Sequence, residues 1–142
     1  VLIGKGQMRG ELEGLTRELG IAEDVTFLES RPHEDVAAWM NRADCLLLSS
    51  RSEGMPNVVL EALASGTPVV ATDVGDVPAV VRNGVNGLVV KANVAETVAS
   101  LANALVCVLD GEWDAEVLRD SVADYDWERS AQIVVDTIRR GA

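Results

Sequence analysis

Basic residues are scarce in this sequence, and their scarcity argues against two kinds of partner. Twelve lysines and arginines stand against 23 aspartates and glutamates, which gives a formal net charge of −11. A nucleic-acid-binding face needs basic side chains that displace counterions from phosphates, so no nucleic-acid partner is expected. The same balance disfavours an anionic membrane surface, because like charges repel.

Histidine and cysteine are nearly absent, which removes the usual nucleophile and metal-ligand patterns. The one histidine, His33, precedes Glu34 and Asp35; it is interpreted as a helix-entry residue, with a catalytic base as the alternative. Cys45 and Cys107 lack metal-ligand spacing and are predicted to be reduced core thiols of a cytosolic protein. The order of serine, histidine and aspartate that is typical of hydrolases is missing as well. We therefore expect no metal, no separate cofactor and a cytoplasmic location.

Long apolar runs are also lacking. No stretch is long enough to span a bilayer, and no basic segment followed by an apolar one suggests a signal peptide. The chain opens on the apolar residues of a predicted strand, Val1-Leu2-Ile3, without an initiator methionine. We therefore expect a fragment of a longer protein. Its 142 residues are enough to bury a sizeable core, and we predict a single domain over residues 1–142.

The sequence does contain an alternation of apolar strands with amphipathic helices. Each strand is a continuous apolar run, which is typical of a parallel sheet covered on both faces. Met8, Leu12, Leu15 and Leu19 recur at the helical period and predict the first helix. Right-handed crossovers then produce an α/β fold, a doubly wound, Rossmann-like parallel sheet. The predicted strands are 1–3, 25–28, 45–48, 69–72 and 88–90. The predicted helices are 7–19, 34–42, 56–65, 79–82, one that starts at 93 or 94 and ends at 109, 112–123 and 127–140.

Residues 49–66 carry the features that suggest a ligand site. They follow the third predicted strand, turn at Gly54 and enter a helix with Pro56 in its first turn. Gly54 is able to adopt a positive φ and to let a ligand approach the backbone closely. Free amides at the helix N-terminus favour an anion, and those amides belong to Met55, Asn57 and Val58. The segment therefore suits a phosphate cradle, with an ordinary turn before a proline-started helix as the alternative.

Two glutamates flank this turn. Glu61 falls in the second turn of the predicted helix, where a carboxylate can accept two hydrogen bonds from a vicinal diol such as a ribose. Glu53 comes just before the phosphate loop, close to whatever group the phosphate carries. Solvated glutamates on a helix and in a loop are the alternatives. Asp73 and Asp76 lack further ligands nearby, which favours loop structure over a metal site.

A shorter glycine motif, Gly4-Lys5-Gly6, follows the first predicted strand. It lacks the third glycine of a dinucleotide fingerprint, so a tightened turn is the simpler interpretation and a phosphate contact from Lys5 is the alternative. This motif and the loops at 30–33, 49–56 and 72–75 all follow strands. The carboxyl ends of the strands are where doubly wound sheets bind ligands.

The string of residues 50–72 resembles one known family. Its Glu-x7-Glu spacing, formed by Glu53 and Glu61, and its Gly66-Thr67-Pro68 continuation are similar to the donor-binding half of retaining GT-B glycosyltransferases of the glycosyltransferase 4 family. Further matching segments are 1–28, Asp73-Val74-Gly75, 83–90 and Trp127-Glu128-Arg129. The resemblance implies the C-terminal, nucleotide-sugar-binding half of a GT-B fold.

The resemblance also implies a role for each matching position. Glu61 would hold the ribose of the nucleotide-sugar donor, and Glu53 would lie beside the donor sugar hydroxyls as the catalytic carboxylate. The other implied contacts are a donor-binding segment of Gly54, Met55, Pro56, Asn57 and Val58, a base-flanking loop of Ser30, Arg31 and Pro32, and a phosphate-side turn of Gly4, Lys5 and Gly6. Family members are retaining and metal-independent, so donors and dipoles would stabilise the charge of the leaving nucleotide.

The chain departs from the family pattern in several places. The Arg and Lys that usually contact the diphosphate, the first strand of this half and the N-terminal acceptor domain are expected to lie outside these residues, and Ala79 stands where a glutamate is frequent. We therefore expect the isolated chain to lack transferase activity and to bind nucleotide weakly at best. Two alternatives are half of a GT-B-fold UDP-sugar epimerase and a stand-alone nucleotide-binding or interaction module.

Overall fold

The computed structural model describes residues 1–91 and 97–125, which form an α/β structure with parallel strands. Its contacts separate into two compact units, Val1–Trp39 and a second unit that begins at Met40. The single domain over 1–142 stays a prediction. The predicted helix over 127–140, the matching Trp127-Glu128-Arg129 segment and residues 94–96 of another predicted helix lie outside the described residues.

The first unit contains two short parallel strands and two helices. In chain order they are β1 (Leu2–Ile3), α1 (Arg9–Glu18), β2 (Phe27–Leu28) and α2 (His33–Met40), which ends at the unit boundary. β1 pairs with β2 in parallel, with Leu2 opposite Phe27. The strand and helix types match the sequence prediction, and each element is one to three residues shorter than predicted.

The apolar residues that recur at the helical period of α1 are exposed and do not face a core. Met8 and Leu19 are 59% and 62% exposed, and Leu12 and Leu15 are exposed as well. No residue of Val1–Trp39 is buried. The physical reason is area, because a sheet of two two-residue strands covers little of a ten-residue helix.

Polar contacts of Arg9 connect α1 to β2 in place of an apolar core. The guanidinium donates to the carbonyl oxygen of Phe27 at 3.3 Å and lies 5.7 Å from the centroid of the Phe27 ring. It also pairs with Glu13 at 2.8 Å and with Glu29 at 3.2 Å. Arg9 therefore connects α1 to β2 in a unit in which no residue is buried.

The second unit is built on a three-stranded parallel sheet. Its described elements are β3 (Leu46–Leu48), α3 (Asn57–Ala64), β4 (Val69–Thr72), α4 (Val77–Val80), β5 (Gly87–Val90), α5 (Thr97–Leu109) and α6 (Ala115–Asp120). The strand order is β3-β4-β5, so β4 is central. All four residues of β4 are buried, as its continuous apolar run predicts. The predicted α/β fold class with parallel strands is confirmed.

Helices cover both faces of this sheet. α5 packs on one face, where Val70 contacts Leu101, Ala104 and Val108. Side chains alternate along a strand, so Val69 faces the opposite way from Val70, and Val69 is also fully buried. α3 packs against β3 and β4, and α6 packs against α3. A parallel sheet with helices packed on both faces is the arrangement that positions ligands at its carboxyl edge.

α6 is shorter than the predicted helix over 112–123, and its start has a local cause. The Asp114 carboxylate accepts a hydrogen bond from the amide of Glu116 at 2.8 Å, which makes Asp114 the N-cap. The preceding Trp113 turns back, and its indole nitrogen donates to the carbonyl oxygen of Val108 at 2.8 Å. The helix therefore begins at Ala115.

The two cysteines have different environments. Cys45 is half-buried, and burial raises the pKa of its thiol to about 11, which makes it a poor nucleophile at neutral pH. Cys107 is exposed on α5, so the prediction of a core thiol is wrong for this residue. α5 turns Leu101 and Val108 toward the sheet and leaves Cys107 on its outer side. Across residues 1–91 and 97–125, no helix is long and apolar enough to cross a bilayer.

Two leucines of α5 provide a matched test of where the core lies. Leu101 is 7% exposed and Leu109 is 56% exposed. We expect Leu101→Ala to lower the free energy of unfolding by about 2–5 kcal/mol, because it leaves a cavity against Val70. Leu109→Ala should cost less than about 1 kcal/mol. Urea denaturation of both variants measures this, and equal costs would contradict the packing of α5 on the sheet.

Candidate functional site

The loop at residues 49–56 carries the chain from the carboxyl end of β3 to the start of α3. Pro56 is the N-cap of α3, with an extended backbone, and not a residue of the first helical turn as predicted. Its carbonyl oxygen accepts a hydrogen bond from the amide of Val59 at 3.0 Å. The amides of Asn57 and Val58 then lie in the first turn, where a helix offers no internal acceptor. An open helix N-terminus therefore faces the carboxyl edge of the sheet.

A second loop, at residues 73–76, supports the first one. β3 and β4 are neighbouring parallel strands, so the loops that follow them emerge side by side. The hydroxyl of Thr72 donates to the carbonyl oxygen of Ser50 at 2.5 Å, and the amide of Asp76 donates to the carbonyl oxygen of Gly54 at 2.9 Å. The loop of the candidate site is thus fixed to the end of β4 at two points.

Gly75 is the glycine on which this contact depends. It has a φ of +53°, and a β-carbon there would overlap the carbonyl oxygens of Glu53 and Gly54. Gly54, which is able to adopt a positive φ, does not adopt one, and a β-carbon at Gly54 would meet no atom within 4 Å. The close approach between the two loops is made instead by the second loop, at Gly75.

Glu53 is half-buried in the first loop. Its Oε1 accepts a hydrogen bond of 2.6 Å from the hydroxyl of Ser50. This length is typical of a hydroxyl bound to a carboxylate. The carboxylate therefore has a defined direction within the loop, which a solvated surface glutamate would lack.

Glu61 lies in the second turn of α3, as predicted. Val59, Ala62 and Leu63 are the buried residues of this helix, and Glu61 lies on the side turned away from them. It lines an open pocket of ≈ 240 Å³. The other residues of this pocket are Asn57, Leu60, Ala64, Val122 and Tyr125. The structure thus places both glutamates in the second unit, one in the loop and one on the following helix.

The remaining predicted positions belong to the first unit. The Gly4-Lys5-Gly6 turn leaves β1 and borders an open groove of ≈ 200 Å³. Lys5 Nζ lies 3.8 Å from Glu29 Oε2 with both side chains exposed, so the pair is weak and leaves the ammonium accessible to an anion. Ser30, Arg31 and Pro32 are exposed directly after β2. Their base-flanking and phosphate-side roles stay predictions.

Sequence reasoning missed the residues that hold the site together. Ser50, Thr72 and Gly75 received no individual role, and Asp76 was interpreted as part of a loop rather than as a metal ligand. One sequence feature could have pointed to them. Residues 72–75 lie at the end of the strand that pairs with the strand before the first loop. In residues 1–91 and 97–125, no three His, Cys, Asp or Glu side chains come together as potential metal ligands.

The comparison with known families covers the part of the chain that contains this loop. Residues 1–110 match the family model described as glycosyl transferases group 1. The chain belongs to this family. The match contains both candidate loops, Glu53 and Glu61.

The curated relatives that this chain matches are longer proteins. The chain is 37% identical over 129 residues to a D-inositol 3-phosphate glycosyltransferase of Corynebacterium urealyticum, covering 90% of this chain and 30% of the relative. It is 36% identical over 132 residues to the enzyme of the same name in Mycobacterium marinum, covering 91% and 28%. The chain therefore spans about 30% of the length of these relatives.

Solved structures of the GT-B type have the same fold. The apo lipopolysaccharide outer core galactosyltransferase WaaB superposes with a TM-score of 0.83 at 21% identity, covering 99% of this chain and 40% of that one. The sucrose-phosphate synthase of Thermosynechococcus elongatus gives 0.77 at 28% identity, covering 98% and 37%. Anabaena Alr3699/HepE, solved in complex with UDP, gives 0.76 at 23% identity, covering 98% and 40%. The predicted likeness to a GT-B half is thereby confirmed for this member of the family.

Gly75 and Gly54 provide a matched test of the two-loop contact. We expect Gly75→Ala to lower the free energy of unfolding by at least about 2 kcal/mol, because the positive φ is strained and the β-carbon overlaps two carbonyl oxygens. Gly54→Ala should change it by less than about 1 kcal/mol, since its β-carbon meets open space. Denaturant unfolding measures both, and a neutral Gly75→Ala would show that the loops are not in contact.

Proposed function

We propose that this chain is the donor-binding part of a retaining, metal-independent glycosyltransferase that uses a nucleotide sugar. The observation that carries the proposal is the loop at 49–56. It combines a half-buried, oriented carboxylate at Glu53 with an open helix N-terminus, and Glu61 follows on the same helix. Membership of the glycosyl transferases group 1 family supports this assignment.

Each group in the loop suits one part of a nucleotide sugar. The first amides of α3 are suited to the distal phosphate, because they donate hydrogen bonds at the positive end of the helix dipole. Glu61 is suited to the ribose hydroxyls, and Glu53 to the hydroxyls of the donor sugar, since ionised carboxylates accept hydrogen bonds from both. Alr3699/HepE, which has this fold, was solved with UDP, so a uridine nucleotide is the first donor to test.

The proposed reaction breaks the bond between the anomeric carbon and the diphosphate oxygen. A bond from that carbon to an acceptor hydroxyl oxygen forms on the same face of the sugar, and the acceptor proton is released. The developing charge on the diphosphate is the part of the transition state that the α3 amides and dipole would stabilise. We further propose that the acceptor is bound by sequence outside these residues, as the greater length of the relatives supports.

A binding titration tests the donor site. We expect ¹⁵N-labelled chain to bind at least one of UDP-glucose, GDP-mannose and ADP-glucose with a Kd of about 1 mM, with amide shifts concentrated at residues 54–61. Glu61→Gln should weaken that binding by about tenfold, because hydrogen bonds to a charged group are lost. Glu116→Gln, an exposed helical glutamate of the same unit, is the matched control. Absence of shifts with all three ligands would refute the donor site, and unchanged affinity in Glu61→Gln would exclude the ribose role.

A transfer assay tests whether this chain can transfer a sugar by itself. We expect the purified 142-residue chain to form no glycoside from these donors and simple polyol or inositol phosphate acceptors, because one wall of a two-sided cleft cannot align donor and acceptor. Product analysis by mass spectrometry measures this. Robust transfer by the isolated chain would contradict the proposal.

A further inference from the structure

We propose that Ser50 is a positioning residue for Glu53, which fixes the carboxylate in the orientation that receives the donor sugar. The inference rests on the proposed function and extends it to a residue that acts through Glu53. It is drawn from the hydrogen bonds on both sides of Glu53 and from the difference between Ser50 and the serines beside it.

The bond from Ser50 occupies one oxygen of the carboxylate. The hydroxyl donates to Oε1 at 2.6 Å, and both residues are half-buried. An ionised carboxylate has about four acceptor sites, so Oε2 retains its own for a ligand. Within residues 1–91 and 97–125, the Ser50 hydroxyl is the one donor found on the Glu53 side chain. It is therefore the contact that selects the side-chain rotamer.

Ser50 is itself anchored to the buried sheet. Its carbonyl oxygen accepts a hydrogen bond from the Thr72 hydroxyl at 2.5 Å, and Thr72 is 1% exposed at the end of β4. On the other side of Glu53, the carbonyl oxygen of Gly54 accepts from the amide of Asp76 at 2.9 Å. The backbone is thus fixed before and after Glu53, and the freedom that remains is the rotation of its side chain.

This arrangement has a clear consequence for binding. A flexible glutamate would lose rotamer entropy each time it received a sugar, and a preorganised one has already lost it on folding. The benefit applies to the sugar hydroxyls that meet Glu53 and not to the nucleotide, which is proposed to meet α3. Loss of the Ser50 hydroxyl should therefore reduce the affinity that the sugar adds and leave the affinity for free UDP unchanged.

The neighbouring serines supply matched controls. Ser49 and Ser52 are exposed, and Ser50 is half-buried. Ser49→Ala removes the same group from the same loop without touching Glu53. Ser50→Thr keeps a hydroxyl and should retain the bond, whereas Ser50→Ala removes it with little change in volume.

The first experiment needs no ligand. In the ¹³C,¹⁵N-labelled chain, we expect the side-chain three-bond couplings of Glu53 to report one rotamer in the wild type, Ser49→Ala and Ser50→Thr. They should report rotamer averaging in Ser50→Ala, while the amide spectrum outside the loop is unchanged. Averaged couplings in the wild type, or fixed couplings in Ser50→Ala, would overturn the inference whatever the chain binds.

The second experiment compares UDP-glucose with UDP by NMR titration of the same variants. We expect Ser50→Ala to bind UDP like the wild type and to lose about threefold or more of the extra affinity that glucose provides. Ser49→Ala and Ser50→Thr should keep it. Equal loss for UDP and UDP-glucose would indicate a general loop defect and overturn the positioning role. If the wild type binds neither ligand, the proposed function fails, and the rotamer measurement still decides whether Ser50 positions Glu53.

Discussion

The close approach of Gly75 to the carbonyl oxygens of Glu53 and Gly54 is the contact on which the candidate site depends. It brings the loop after β4 under the loop after β3 and allows the amide of Asp76 to bind the carbonyl oxygen of Gly54. Any side chain at Gly75 would separate the two loops. The loop that carries Glu53 and leads into α3 can be held this closely because the backbone at Gly75 has no β-carbon to accommodate.

The buried sheet holds the ends of the two loops in place. β4 is buried at all four positions and pairs with β3 and β5, so Thr72 at its end is held by the core. Thr72 holds the backbone of Ser50, and Ser50 holds Glu53. A half-buried carboxylate in a surface loop is therefore oriented from the interior through two hydroxyl groups. The first unit has no comparable core, and Arg9 connects its helix to its sheet.

Most of the fold was predictable because its signals are local. The apolar run of β4 predicted its bounds to the residue, and Gly66 after α3 correctly predicted the end of that helix. The helical period predicted α1 but not the exposure of its apolar residues, because periodicity describes one helix and cannot state whether a large enough sheet exists to cover it. Glu61 was placed in the second helical turn by counting from Pro56, which needed no tertiary information.

The sequence by itself determined the parallel α/β class, the order of the elements and the Glu53-x7-Glu61 spacing, since these follow from hydrophobic runs, turn residues and counting. Tertiary structure alone decided which glycine the site requires. Gly54 looked essential by its position, and Gly75 became essential because a neighbouring strand brings its loop into contact. It also decided that Ser50 orients Glu53, because three serines in one loop look alike until burial and distance distinguish them.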